Sequence, residues 1–248
     1  MSGFILPAPA LLAGTLLASF LAGLARGFSG FGSALIFVPL ASALLGPRLA
    51  VPLLMLIDNL SALPMVPAAW RNAARREVAL LAAGAMVGTP LGVLALLRLD
   101  PVVVRWAMCL LALAMLALLV SGWRYRGRPV TPLSLAVGVV AGICGGLAQM
   151  SGPAVLAYWL GGAVPAHRIR SNIILFFAFT SVVGAATYLL SGLLTLEVVV
   201  LSLLAGPVFA LGTWMGARLF GLASEATFRR ICLILIGLAA LLGLPLWQ

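Results

Sequence analysis

Ten apolar runs organise this chain: roughly 5–25, 33–45, 49–70, 77–97 and 102–123, then 132–144, 153–163, 171–190, 197–219 and 230–247. A helix rises about 1.5 Å per residue, so crossing a hydrocarbon core of about 30 Å takes about 20 residues. The runs 33–45, 132–144 and 153–163 fall short of that. Each short run flanks one of two glycine-dense segments, Gly27-Phe-Ser-Gly-Phe-Gly-Ser33 and Gly142-Ile-Cys-Gly-Gly-Leu-Ala-Gln-Met-Ser-Gly-Pro153. Backbone that leaves helix geometry in hydrocarbon finds no water, so such breaks persist only when buried in protein or lining a cavity. The pattern predicts a helical hairpin at each break, with its tip inside the membrane. Two short tilted crossings are the other reading of the same lengths.

Composition supports a membrane setting. Hydrophobic residues make up 64% of the 248 positions and charged residues 8%, against about a quarter charged in soluble domains. The expected fold class is an all-α polytopic membrane protein of a bacterial inner membrane. No basic residue precedes the run 5–25, so that run is expected to belong to the mature fold rather than to a cleaved signal. All of the positive charge is arginine, in short loops where it sets topology rather than binding nucleic acid. Cys109, Cys144 and Cys232 lie within apolar runs without metal-ligand or disulfide spacing. No metal and no cofactor is called for.

The chain divides into residues 1–123, a basic linker 124–129, and residues 130–248, and landmarks recur in the two halves. Gly27 and Gly30 match Gly142 and Gly145, and Glu77 matches Glu197. Gly88-Thr-Pro-Leu-Gly92 before Arg105 matches Gly212-Thr-Trp-Met-Gly216 before Arg229. Each half holds an odd number of passes, so the second repeat is expected to sit upside down relative to the first. Placing the linker in the cytoplasm also puts Arg71, Arg75, Arg76, Arg168, Arg170, Arg218, Arg229 and Arg230 there, as the positive-inside rule asks of an inverted repeat. Both termini are then expected on the periplasmic side.

Inverted hairpins bring their tips together near the midplane. The returning half-helices are expected to start at Gly32/Ser33 and at Ser151/Gly152/Pro153, with Ser or Gly as cap and Pro in the first turn. A helix start exposes unpaired N–H donors and the positive end of the dipole, so two facing starts suit an oxyanion. Ser29, Ser33, Gln149 and Ser151 add hydroxyl or amide donors. Arg26 is a counter-charge for the substrate if it sits deep, or a cytoplasmic anchor if 5–25 spans fully. Asp58, beside Asn59 and ahead of Pro64 and Pro67, is an acid in mid-run that is costly in a bilayer unless paired or protonated. It is a candidate for proton coupling, desolvation raising its pKa toward neutrality; a structural pair with Arg26, or a cap on backbone freed by the prolines, is the alternative.

Other polar residues read more simply. Small residues four apart, Gly84-Gly88-Gly92 and Gly212-Gly216, are close-packing faces. Arg105 and Arg229 are expected to snorkel to the interface, Glu77 and Glu197 to be first-turn acids, and His167 to be a solvated loop residue. Trp70, Trp123, Tyr125 and Trp247 fall at run ends, as an interfacial belt places them.

With both motifs in view, the chain resembles the TauE/SafE family of sulfite and organosulfonate exporters over about residues 10–245. The resemblance rests on Gly27-Phe-Ser-Gly-Phe-Gly-Ser-Ala-Leu-Ile-Phe-Val-Pro39, on Gly142 to Leu160, and on Val164-Pro165 with Arg168-Ile-Arg170. It implies secondary transport of a small sulfur-containing anion such as sulfite or sulfoacetate, usually outward and without ATP. It implies substrate contacts at Ser29, Gly30, Gly32 and Ser33, and at Gln149, Ser151 and Gly152. The chain departs from the family pattern at Phe31, where consecutive glycines are usual, and at Ala154, where a second proline is usual.

The resulting site expectation is Arg26, Ser29, Gly30, Gly32, Ser33, Asn59, Gln149, Ser151 and Gly152 for substrate, and Asp58 for the proton. The expected partners are the anion, membrane lipid and a second copy of the chain. The alternatives are a transporter of another small anion or metabolite, or a membrane-embedded lipid-phosphate enzyme. The enzyme would need an acid–base or Ser/His cluster near the breaks, which the sequence does not provide.

Overall fold

The computed structural model describes residues 7–30, 32–62, 66–125, 127, 130–160, 166–219 and 225–246, and their regular structure is helical throughout. In chain order the helices are α1 (Pro9–Ser29), α2 (Ser33–Leu45), α3 (Pro47–Ala62), α4 (Val66–Asn72), α5 (Arg75–Arg98) and α6 (Pro101–Ser121). They continue with α7 (Thr131–Ala148), α8 (Gly152–Trp159), α9 (Ala166–Leu190), α10 (Leu196–Leu219) and α11 (Glu225–Gly243). Among the described residues six are long and apolar enough to cross a membrane: α1, α5, α6, α7, α9 and α10.

The chain punctuates these helices where the chemistry of their ends predicts. α6 opens with Pro101 behind Asp100, whose carboxylate accepts the Val102 N–H at 2.8 Å. α1 closes on Gly30 at φ 74°, which donates to the Arg26 carbonyl at 2.8 Å. α7 closes on Gln149, again left-handed at φ 58°, with Gln149 donating to Gly145 at 2.8 Å and Met150 to Cys144 at 3.2 Å. These turns satisfy carbonyls that a helix end leaves without partners.

Two helix pairs pack at backbone contact. Cβ atoms at Gly23 and Gly27 of α1 would collide with the carbonyls of Phe209 and Thr213 on α10, and Gly212 and Gly216 lie equally close to Phe20 and Leu24. The pair α5 and α7 repeats this grammar: Gly84, Gly88 and Gly92 sit on the carbonyls of Leu135, Val139 and Ile143, and Gly138 and Gly146 on those of Leu81 and Thr89. In lipid, where apolar surface alone gives helices no reason to associate, such close approach is what holds them together. The interior side of these pairs is filled by Phe37, Leu53, Leu54, Met55, Tyr188 and Phe209, all fully buried. Large apolar side chains such as Leu189, Leu190 and Leu203 face outward, as lipid requires.

Three sequence expectations change. The run 132–144 is the core of an 18-residue helix long enough to span, because Gly142 and Gly146 are packing positions against α5 and Gly145 is helical too, so none of them is a break. Gly27 likewise lies inside α1, and among the described residues of the two segments the backbone leaves helix geometry at Gly30 and Gly32 and at Gln149–Ser151. Each break therefore joins a full-length helix to a short one, α2 of 13 residues or α8 of 8. Within the run 49–70 the described residues form α3, up to Ala62, and α4, from Val66, and residues 63–65 lie outside the described residues.

Candidate functional site

Both short helices begin at one cavity of about 460 Å³. From the first half it is lined by Arg26, Gly32, Ser33, Asp58 and Asn59, and from the second by Gln149, Ser151, Gly152 and Pro153. Thus α1, α2, α3, α7 and α8 each bring a predicted residue to one place. Among the described lining residues Arg26 and Asp58 are the charged ones. Leu35, Met55, Leu56 and Phe177 supply much of the apolar wall, which is the usual make-up of a small-molecule site.

Arg26 sits in the last turn of α1, where a cation favours the helix dipole. Its Nε lies 3.1 Å from Asp58 Oδ1, with side chains 15% and 21% exposed respectively. Its Nη1 donates to the Gly30 carbonyl at 3.0 Å, so the turn that ends α1 also aims the guanidinium. Arg26 thus lines the cavity in an ion pair with Asp58, the structural pair that the sequence offers as one reading of that acid. The other carboxylate oxygen, Oδ2, accepts the Ser33 hydroxyl at 3.3 Å. Oδ1 is sealed from solvent and meets Nε as a charge contact, off the line of a hydrogen bond. Ser33 accordingly serves the carboxylate instead of capping α2; Gly32 holds the cap position at φ 98° without a side-chain bond.

On the opposite side, Ser151 occupies the cap position of α8 and Pro153 falls in its first turn. The Gln149 amide donates to the Tyr188 hydroxyl at 3.1 Å, and that hydroxyl donates to the Gly146 carbonyl at 2.8 Å. Asn59 is held by Ser181, whose hydroxyl donates to Asn59 Oδ1 at 2.6 Å. First-turn N–H groups of α2 and α8 have no intrahelical acceptors, so the cavity presents donors from two helix starts, one guanidinium and several hydroxyls and amides.

Two predicted residues stand apart. Gly30 is exposed and closes α1 without lining the cavity, and its contribution is the carbonyl that holds Arg26. The Ser29 side chain, like Phe31, Trp247 and the Arg229 side chain, lies outside the described residues. Sequence reasoning missed Thr180, Ser181 and Tyr188, all on α9. A run of Thr and Ser within an apolar helix was the available signal, but such hydroxyls commonly bond their own helix, as Thr180 does to Phe176 at 3.1 Å.

Outside the cavity, Glu77 and Glu197 lie in first turns as expected. Glu77 lines a separate cavity of about 390 Å³ with Arg75, Arg76, Thr131 and Ser134. Arg105 does not snorkel. It is buried and donates through Nη2 to the Gly243 carbonyl at 3.1 Å, tying α6 to the end of α11. Trp70 and Trp123 are exposed at helix ends, whereas Tyr125 stacks on Tyr158 at 5.6 Å between ring centres.

The sequence profile of the family described as sulfite exporter TauE/SafE matches residues 15–242. The chain belongs to the TauE/SafE family. It is similar to a protein of Cupriavidus necator named as a probable sulfite/organosulfonate exporter TauE, with 29% identity over 228 residues, covering 88% of each chain. No solved structure matches it. Family membership and the six candidate spans make this TauE/SafE member a multi-pass transporter of the bacterial inner membrane, not an enzyme. The family match runs through both breaks, so the cavity they bound lies wholly within it.

Proposed function

We propose that the chain is a secondary transporter, acting as an exporter, of a small sulfur-containing anion such as sulfite or an organosulfonate like sulfoacetate. The observation that carries this reading is the cavity at the starts of α2 and α8, whose positive charge is Arg26. In a low-dielectric site, N–H donors, hydroxyls and a guanidinium favour a tetrahedral or pyramidal oxyanion, each charge-assisted bond being about twice as strong as a neutral one. The name of the Cupriavidus necator relative adds the sulfur chemistry. Arg26, Ser33, Asn59, Gln149, Ser151, Gly32 and Gly152 are the proposed substrate contacts, and Asp58 the proton carrier.

The halves act as inverted repeats rocking around these helix starts. The matching glycine-on-carbonyl packing of α1 with α10 and of α5 with α7 supports that symmetry. The test is uptake of labelled sulfite and sulfoacetate into proteoliposomes, with and without a pH gradient, with sulfate and phosphate as competitors. Saturable uptake preferring the sulfur oxyanions and responding to pH is expected. Uptake that phosphate or sulfate blocks equally well would overturn the substrate class.

A further inference from the structure

The geometry points to Asp58 as a resident stand-in for the transported anion, so that the anion and a proton are carried together and not in exchange. This rests on the anion reading of the cavity given above. The Asp58 carboxylate touches Arg26 Nε at 3.1 Å and accepts the hydroxyl of Ser33, the first residue of α2, at 3.3 Å. Those are the guanidinium and a first-turn donor that an oxyanion entering this end of the cavity needs. A negative group already occupies the place, covalently attached to the wall.

Two anions cannot share one guanidinium in a largely apolar cavity, because like charges that close repel strongly at low dielectric. An oxyanion binding to Arg26 must therefore separate it from Asp58. The abandoned carboxylate then lies buried without its counter-charge and takes up a proton from bulk water, which turns it from an acceptor into a neutral acid. Linkage makes the relation mutual: protonating Asp58 first frees Arg26 and tightens anion binding by the same factor.

Among the described residues the surroundings offer no other group for this role. Facing Asp58 are Arg26 from α1 and Ser33 from α2, and α9 contributes Thr180 and Ser181 to the cavity. Tyr188 of α9 is held by Gln149 and Gly146. α5, α6 and α10, which also pack on α3, place no charged residue among the described lining. The sign follows from the Arg26–Asp58 pair: the proton and the anion compete for nothing, and each removes the obstacle to the other. Outward anion flux then carries protons out, and inward proton flow does not drive it.

The test is isothermal titration of the purified full chain in detergent with sulfoacetate, whose two acid groups stay ionised between about pH 6 and 8. Sulfite is run in parallel after subtracting its own proton exchange. Repeating each titration in buffers of different ionisation heat counts the protons. Expected is uptake of about one proton per anion, with affinity falling by up to about tenfold per unit rise in pH. Asp58→Asn should bind with no proton uptake and with affinity flat across that range. In proteoliposomes an inside-alkaline gradient should drive accumulation of the anion. Proton release on binding, or binding by the wild type with no proton change, would overturn this inference and leave the anion site standing. No binding of either anion at any pH would overturn the anion reading and the inference with it. The wild-type proton count decides the matter even if the variant does not fold.

Discussion

The side-chain amide of Gln149 donates to the hydroxyl of Tyr188 at 3.1 Å, joining the break after α7 to the middle of the packed interior. Gln149 is also the one non-glycine residue with positive φ among the described residues. A residue held in that conformation needs surrounding structure to keep it there, and Tyr188 provides it by bonding the Gln149 amide and the Gly146 carbonyl together. Tyr188→Phe leaves both without that hydroxyl and should cost about 1–3 kcal/mol of stability. It should also raise the KM for transport more than it lowers the maximal rate, because the break is intact but less fixed. Thermal unfolding in detergent and uptake kinetics check the two parts.

The glycine faces give a sharper contrast. A methyl at Gly88 would run into the Val139 carbonyl, and backbone cannot move aside as a side chain can. Gly88→Ala should cost about 1–3 kcal/mol or prevent folding. At Gly206 of α10 a methyl would meet only Ile57 Cγ2 at 3.9 Å, an ordinary contact. Gly206→Ala should be neutral or stabilising by up to about 1 kcal/mol through helix propensity. Comparing folded yields and unfolding temperatures of the two variants tests the packing account.

Arg105 and Arg98 should also part company. Arg105 is buried and bonded to the end of α11, whereas Arg98 is exposed at the end of α5. Arg105→Leu leaves the Gly243 carbonyl without that donor and should lower stability by about 1–3 kcal/mol. Arg98→Ala should change it by less than about 0.5 kcal/mol, the usual range at surface positions. Denaturation of both variants in one detergent gives the comparison.

How legible this was in the sequence depended on the kind of signal. The short helix α2 could be bounded at Ser33 and Leu45, because a glycine break and Gly46 flank an apolar run. Asp58 and Arg26 stood out because charge is rare in such surroundings. The α7 break was placed too early, since glycine serves both for close packing and for turns, and only the neighbouring backbone of α5 distinguishes the two. Arg105 looked interfacial because its burial comes from α11, more than a hundred residues away. Ser181 and Tyr188 of α9 were invisible as site residues for the same reason: their partners, Asn59 for the one and Gln149 and Gly146 for the other, are long-range contacts that no local pattern encodes.

The most direct test of the account compares sulfite and sulfoacetate uptake by wild type and Arg26→Gln in the same liposomes. The double variant Arg26→Gln/Asp58→Asn, neutral at both positions, guards against loss of fold from an unpaired buried acid. The account predicts saturable wild-type uptake, a fall of about 10- to 100-fold in Arg26→Gln, and no recovery in the double variant. Uptake by either variant at the wild-type rate and affinity would contradict it, because the cavity would then bind its substrate without the cation on which the site is built.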